Sequence, residues 1–265
     1  MLWTGALAAG AAYSGALGLM YAFQGRLMYP GSEPTDSPQA IGLTGVSEVR
    51  IETYDGLSLL AWWMPPADGR PVVLYFHGNA GPLACRANKF TEFAKAGYGL
   101  LMPAYRGYSG NAGRPSEAAI VKDAQSAADW LARQAPDAPL VYYGESLGSS
   151  VALQLALRVR PRAMVMEGAF DSAANMAQAR YPMFPTARLI KDRWDSMAIA
   201  SAMTAPVLML HGGMDKTVPI SHAKRLFREL PEPKRFVLLD EAGHVNLFEH
   251  GGARHVLEWL AERGL

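Results

Sequence analysis

From residue 47 onwards, short apolar runs alternate with stretches patterned for helices. Residues 49–53 and 57–64 are strand-like runs on either side of Tyr54-Asp55-Gly56, a turn signal, and read as a hairpin. Runs at 72–76, 99–103, 140–143, 163–167, 206–211 and 235–239 are apolar almost throughout. Strands buried on both faces of a parallel sheet have that composition. Between them the apolar period changes to that of a helix. Residues 83–96 form one such stretch and stop at Gly97. Residues 116–134 open on Pro115-Ser116-Glu117 and place Ala119, Ile120, Ala124, Ala127, Ala128 and Leu131 on one face. Residues 146–159 are apolar nearly all round, as a buried helix would be, and 221–230 and 246–263 complete the set. The alternation predicts an α/β fold: an open, mostly parallel eight-stranded sheet flanked by helices. Right-handed crossovers then bring the strands' C-terminal ends to one edge, where ligands bind.

Three segments depart from this rhythm. Residues 1–28 are expected to form an apolar N-terminal helix, with no charge from Leu2 to Phe23. Twenty-two helical residues span about 33 Å, enough for the hydrocarbon core of a bilayer. Ala6, Gly10, Ser14, Gly18 and Ala22 recur every four residues, a small-residue ridge that admits a close neighbour helix. A membrane anchor is the first reading. A cleaved signal peptide is disfavoured by an n-region without Lys or Arg, and a helix packed on its own domain or on a second copy is the third reading. Residues 29–46, rich in proline and glycine, read as a connecting arm leading to a main domain at 47–265. Some forty residues separate the strand ending at Glu167 from the one starting at Pro206, more than a crossover helix needs. This insertion is expected to form a small cap at about 169–204, after the sixth strand.

Composition removes several classes of function. With 25 basic and 24 acidic residues mixed along 265, nothing resembles the electrostatic footprint of a nucleic-acid binder. Cys85 is the only cysteine, so an intrachain disulfide is impossible. No metal-ligand spacing and no G-x-G-x-x-G dinucleotide pattern appears, so no metal and no cofactor is expected.

The chemistry begins at Gly144-Glu145-Ser146-Leu147-Gly148, between a strand and a helix. A serine hydroxyl is a poor nucleophile at neutral pH and must be presented to both substrate and base, which a sharp strand-to-helix turn does. Six histidines could serve as base. His244 follows the last strand and would hang over the sheet's C-terminal edge. His211 is followed by Gly212-Gly213 and is expected to bond to backbone, His222 is expected to be exposed, and His250 and His255 belong to the final helix. Asp215, after the preceding strand, is the acid that would orient His244 and stabilise its imidazolium. Its rivals Asp171, Asp192, Asp195 and Asp240 sit in or beside the cap or just past the last strand. Two backbone N–H groups should form the oxyanion hole: that of Leu147, and that of Asn79 in His77-Gly78-Asn79-Ala80-Gly81, with Ala80 second. His77 would hold that loop by hydrogen bonding. In the cap, Tyr181, Met183, Phe184 and Trp194 are candidates to bind an apolar acyl group, or else form the cap's own core.

These pieces resemble the α/β-hydrolase superfamily over roughly residues 47–265. The resemblance is strongest to a membrane-anchored group that includes eukaryotic protein-depalmitoylating thioesterases and many uncharacterised bacterial hydrolases. It lies in Phe23-Gln24-Gly25-Arg26-Leu27-Met28-Tyr29-Pro30, His77–Gly81, Tyr105-Arg106-Gly107-Tyr108, Arg114-Pro115-Ser116-Glu117, Gly144–Gly148, Tyr181-Pro182 and Gly243-His244-Val245-Asn246. It implies a serine esterase, lipase or thioesterase with a short cap, acting on a small-molecule or lipid ester. The same resemblance implies anchorage through residues 2–23, at the inner membrane for a bacterial member. If the helix packs on protein instead, a soluble form or a homo-oligomer through that helix is expected. The chain departs from the group at Ser109-Gly110-Asn111-Ala112, in place of a tighter loop, and at Val245, inserted before Asn246. Both border the site, so substrate preference does not carry over. A non-catalytic binding protein on the same fold and a small peptidase are the alternatives.

Overall fold

The computed structural model describes the chain from Leu2 to Leu265, with side chains from Thr4 onward; Met1, the first residue of the expected N-terminal segment, lies outside the described residues. Eight strands form one sheet in the order β1-β2-β4-β3-β5-β6-β7-β8. They are β1 (Ser47–Glu52), β2 (Ser58–Met64), β3 (Val72–Phe76), β4 (Gly99–Pro103), β5 (Leu140–Glu145), β6 (Ala163–Glu167), β7 (Val207–Gly212) and β8 (Lys234–Leu239). β2 pairs antiparallel with β1 and β4, and all other pairs are parallel. The interior strands β3, β4, β5, β6 and β7 are buried along nearly their whole length, which is why their sequences read as unbroken apolar runs.

Helices cover both faces. On one side pack α3 (Glu117–Gln134), α4 (Leu147–Ala156) and α8 (Ile220–Glu229), with Ile120, Leu131, Val151 and Leu226 meeting Leu74, Tyr142 and Met209 of the sheet. On the other lie α2 (Ala87–Lys95) and α9 (Gly252–Ala261), where Phe90, Phe93, Val256 and Trp259 meet Val73, Tyr143 and Leu208. The Ser116 side chain caps α3 by accepting the Ala119 N–H.

Two helices differ from expectation. The stretch 83–96 begins with a 3-10 turn, Leu83–Arg86, before α2. The final helix starts at Gly252 rather than Asn246. The Asn246 side chain accepts the Gly243 N–H at 2.7 Å, and the Gly252 N–H turns back to the Leu247 carbonyl at 2.8 Å. A polar side chain that satisfies nearby backbone in this way competes with helix formation.

Between β6 and β7 the chain forms three short helices, α5 (Ala173–Arg180), α6 (Thr186–Leu189) and α7 (Met197–Ala200). The first helix, α1 (Leu2–Met28), is 27 residues long and largely exposed. It is apolar and long enough to cross a membrane. From its middle onward it leans on the cap: Tyr13 stacks on Phe184 and donates to the Met183 carbonyl at 2.8 Å. Gln24 bonds the Leu189 carbonyl and the Lys191 N–H. At the end of α1, the Met28 carbonyl accepts from Asn79 Nδ2, and the Tyr29 hydroxyl joins Asp192 and the Trp194 indole, each at 2.8 Å.

Candidate active site

Ser146 stands between β5 and α4 with φ 52° and ψ −115°, a backbone conformation that a serine rarely adopts. The turn is held from both sides. Its N–H donates to the Glu167 carbonyl of β6 at 2.7 Å, and Ser149 Oγ donates back to the Gly144 carbonyl at 2.7 Å. At Gly148 the helix runs so close to β3 that a Cβ would sit 1.9 Å from the Phe76 carbonyl oxygen, so no other residue fits there.

His244 and Asp215 reach Ser146 from the loops after β8 and β7. His244 Nε2 lies 3.0 Å from Ser146 Oγ, and Nδ1 lies 2.7 Å from Asp215 Oδ2. Asp215 can only accept, so Nδ1 carries the proton and Nε2 is left free to take the serine's. The other carboxylate oxygen, Oδ1, accepts the N–H groups of Thr217 and Val218, each at 2.8 Å. Burial pushes the Asp215 carboxyl up, but the bonds from His244 and from these two amides outweigh it, and the group stays below the ordinary aspartate range. The His244 ring packs against Gly168, at φ +60°, where a Cβ would meet Cε1 at 2.9 Å. Gly168 is a site residue the sequence patterns did not single out; its place directly after a strand's C-terminal end was the available signal.

Leu147 and Asn79 border the same cavity as Ser146. The Leu147 N–H belongs to the first turn of α4, where amides have no partner within the helix. His77 anchors the Asn79 loop: Nδ1 meets the Gly78 carbonyl at 2.6 Å, and Nε2 accepts the Tyr105 N–H at 3.2 Å. Burial, with the Arg86 charge nearby, lowers its pKa to about 3, so the ring is neutral and donates from Nδ1. Beneath the serine, the neighbouring carboxylates Glu145 and Glu167 at the ends of β5 and β6 are each paired with a buried cation. Arg86 meets Glu145 at 2.7 Å, and Lys89 meets Glu167 at 2.6 Å. No motif signalled these pairs.

The cavity over Ser146 measures about 610 Å³, the size of a small-molecule site. Its walls are mainly apolar and come from the cap, from the β7–α8 loop and from α1. Of the four cap residues expected to bind substrate, Tyr181 and Trp194 line it. Met183 and Phe184 do not: Met183 is 79% exposed at the cap's tip, and Phe184 is spent on Tyr13. Trp194 is also fully buried and so serves as cap core. His222, expected on the surface, is instead buried in the cavity wall, with Nδ1 2.7 Å from Asp171 and Arg225 alongside. The helical spacing His222/Leu226 marks the inward face of α8, which is why the ring turns in. His211 bonds the Val218 carbonyl, as expected.

Residues 67–200 match the family described as serine aminopeptidase, S33. An uncharacterised protein of Mycobacterium tuberculosis is 38% identical over 236 residues, which cover 87% of this chain and 84% of that one. Protein bem46 of Schizosaccharomyces pombe is 30% identical, over 80% of this chain and 76% of its own. Among solved structures, the Pyrococcus furiosus esterase Pf2001 superposes with a TM-score of 0.70 over 88% of this chain and 98% of that one, at 17% identity, a likeness of fold. An eight-stranded, mostly parallel sheet, a serine on a strained strand-to-helix turn and these relatives agree: the chain belongs to the S33 serine hydrolase family of the α/β-hydrolase superfamily.

Proposed function

We propose that the chain hydrolyses carboxylic esters or thioesters of apolar acids through an acyl-enzyme intermediate. The observation that carries this reading is the Ser146–His244–Asp215 hydrogen-bond chain opening into a largely apolar cavity. Ser146 Oγ attacks the substrate carbonyl carbon as His244 Nε2 takes its proton. The carbonyl oxygen becomes an oxyanion, held by the N–H groups of Leu147 and Asn79, and such a donor lowers the barrier by about 3 kcal/mol. His244 then protonates the departing alcohol or thiol, leaving the acyl group on Ser146. Water, deprotonated by His244, repeats the attack and releases the acid. Asp215 stabilises the imidazolium at each transfer. Tyr181 and Trp194 are the cap residues assigned to the acyl group, and α1 is assigned to a membrane.

An aminopeptidase, which the family's description brings to mind, needs an anion to hold a free α-amino group. The described residues lining the cavity include no Asp or Glu, and its charged members are Arg180 and Lys216. Ester chemistry therefore fits better.

Fluorophosphonate labelling of the full chain, beside hydrolysis of p-nitrophenyl esters from acetate to palmitate, tests the reading. Wild type is expected to label and to show a chain-length optimum. Ser146→Ala is expected to lose the label and about six orders of magnitude of turnover while staying folded. A well-folded wild type that neither labels nor hydrolyses any ester would leave a binding protein on this fold.

A further inference from the structure

The cavity over Ser146 is not closed by the α/β domain and cap alone. The face of α1 that carries Leu17, Met20, Gln24 and Met28 forms its remaining wall. These positions are spaced by three or four residues, one stripe of a helix. Leu17, Met20, Gln24 and Met28 are half-buried, whereas Leu7, Leu19 and Phe23 on the other faces are 72%, 62% and 47% exposed. From Leu2 to Gly25 the helix has no charged residue on any side. A helix apolar all round is at home in hydrocarbon.

We infer that α1 is both the membrane helix and a wall of the acyl site, so that the substrate is a long-chain acyl ester or thioester drawn sideways from the bilayer. The inference rests on the hydrolase reading for the fate of the acyl group. It rests on the cavity itself for the route. α1 is tied to the cap at two places, Tyr13 to Met183 and Phe184, and Gln24 to Leu189 and Lys191. Those ties lie eleven positions apart along the helix, a seam roughly 16 Å long. Along it Leu17 and Met20 face the cavity while Leu19 and Phe23 face outward. An acyl chain passing through that seam goes from lipid to Ser146 without crossing water.

The full chain in phosphatidylcholine vesicles provides the test, with Met20→Trp on the cavity stripe and Leu19→Trp on the outward face. Each methylene denied its place costs about fourfold in binding, so an indole that displaces two should act by roughly fifteenfold. Met20→Trp is expected to lower kcat/KM for p-nitrophenyl palmitate relative to butyrate by that factor, and Leu19→Trp to leave the ratio within about twofold. A second readout needs no turnover: palmitic acid with a terminal diazirine is expected to label Met176 and Ile190 across the cavity, and Met20→Trp to suppress those adducts. Labelling that behaves so in a protein without esterase activity would overturn the hydrolase reading and keep the acyl wall. Normal turnover with a ratio and adducts indifferent to Met20→Trp would do the reverse. Adducts confined to Leu19 and Phe23 would also sink the wall.

Discussion

Replacing Arg86 by methionine tests whether the ion pair beneath Ser146 holds up the site. Arg86 grips Glu145 with two nitrogens, Nη2 to Oε1 at 2.7 Å and Nε to Oε2 at 3.1 Å, and Tyr75 adds a third bond at 2.6 Å. Both charged side chains are about nine-tenths buried. Burial alone would raise the Glu145 pKa, but the Arg86 charge and these bonds overcome it and bring the group down to about 2. Arg86→Met leaves the carboxylate buried without its cation. Breaking a buried pair from one side costs about 3–5 kcal/mol, whereas removing both charges together costs much less. For a chain of this size that is a fall in Tm of roughly 10 °C. Thermal unfolding followed by circular dichroism at pH 7.5 reads it directly. The double variant Arg86→Met/Glu145→Gln should recover more than half of the loss. Because the folded pKa of Glu145 is depressed, its stabilising contribution is complete above the unfolded value near 4.5 and is lost as pH falls toward about 2. The gap between wild type and variant should therefore narrow over that window. An Arg86→Met protein melting within 2–3 °C of wild type at pH 7.5, about 1 kcal/mol, would refute the assignment of Glu145 as a buried anion that depends on this cation.

Asp215→Asn should keep the loop bonds to Thr217 and Val218 yet lower kcat about 10⁴-fold on p-nitrophenyl butyrate; a loss below tenfold would move the acid's role elsewhere. His77 is held neutral in the fold, so its contribution is complete above its unfolded pKa of 6.5 and is lost as pH falls toward about 3. Between pH 6.5 and 5 that amounts to about 2 kcal/mol, and urea titrations should show a shallower pH dependence in His77→Asn. Equal slopes in the two proteins would contradict the buried neutral ring. Gly148→Ala forces a Cβ onto the Phe76 carbonyl and should cost about 3 kcal/mol or more, measured as loss of soluble, cooperatively melting protein.

The parts that were plain in the sequence are those where one physical demand rules a whole segment. Strands such as Val72–Phe76 are buried on both faces, so every position is apolar and the run announces itself. The turn at Ser146 is legible for a similar reason, since glycines must flank it for strand and helix to approach. The parts that stayed hidden depend on partners distant in sequence. His222 meets Asp171 across 51 positions, and Lys89 meets Glu167 across 78. Phe184 looked like a substrate contact because the cap's composition is apolar; only the fold shows that Tyr13 of the N-terminal helix already occupies it. The late start of α9 turned on one side-chain bond from Asn246, which no periodicity encodes.

The end of α1 is fastened in two directions at once. Asn79 Nδ2 ties the Met28 carbonyl to the loop after β3, and the next residue, Tyr29, clamps Asp192 and Trp194 of the cap. The helix is thus a lever, not a tether. Any tilt of α1 relative to the domain strains the bonds to the loop after β3 and to the cap together. A domain hung from a flexible linker would be uncoupled from its N-terminal helix; here the helix end and two walls of the cavity are one bonded unit.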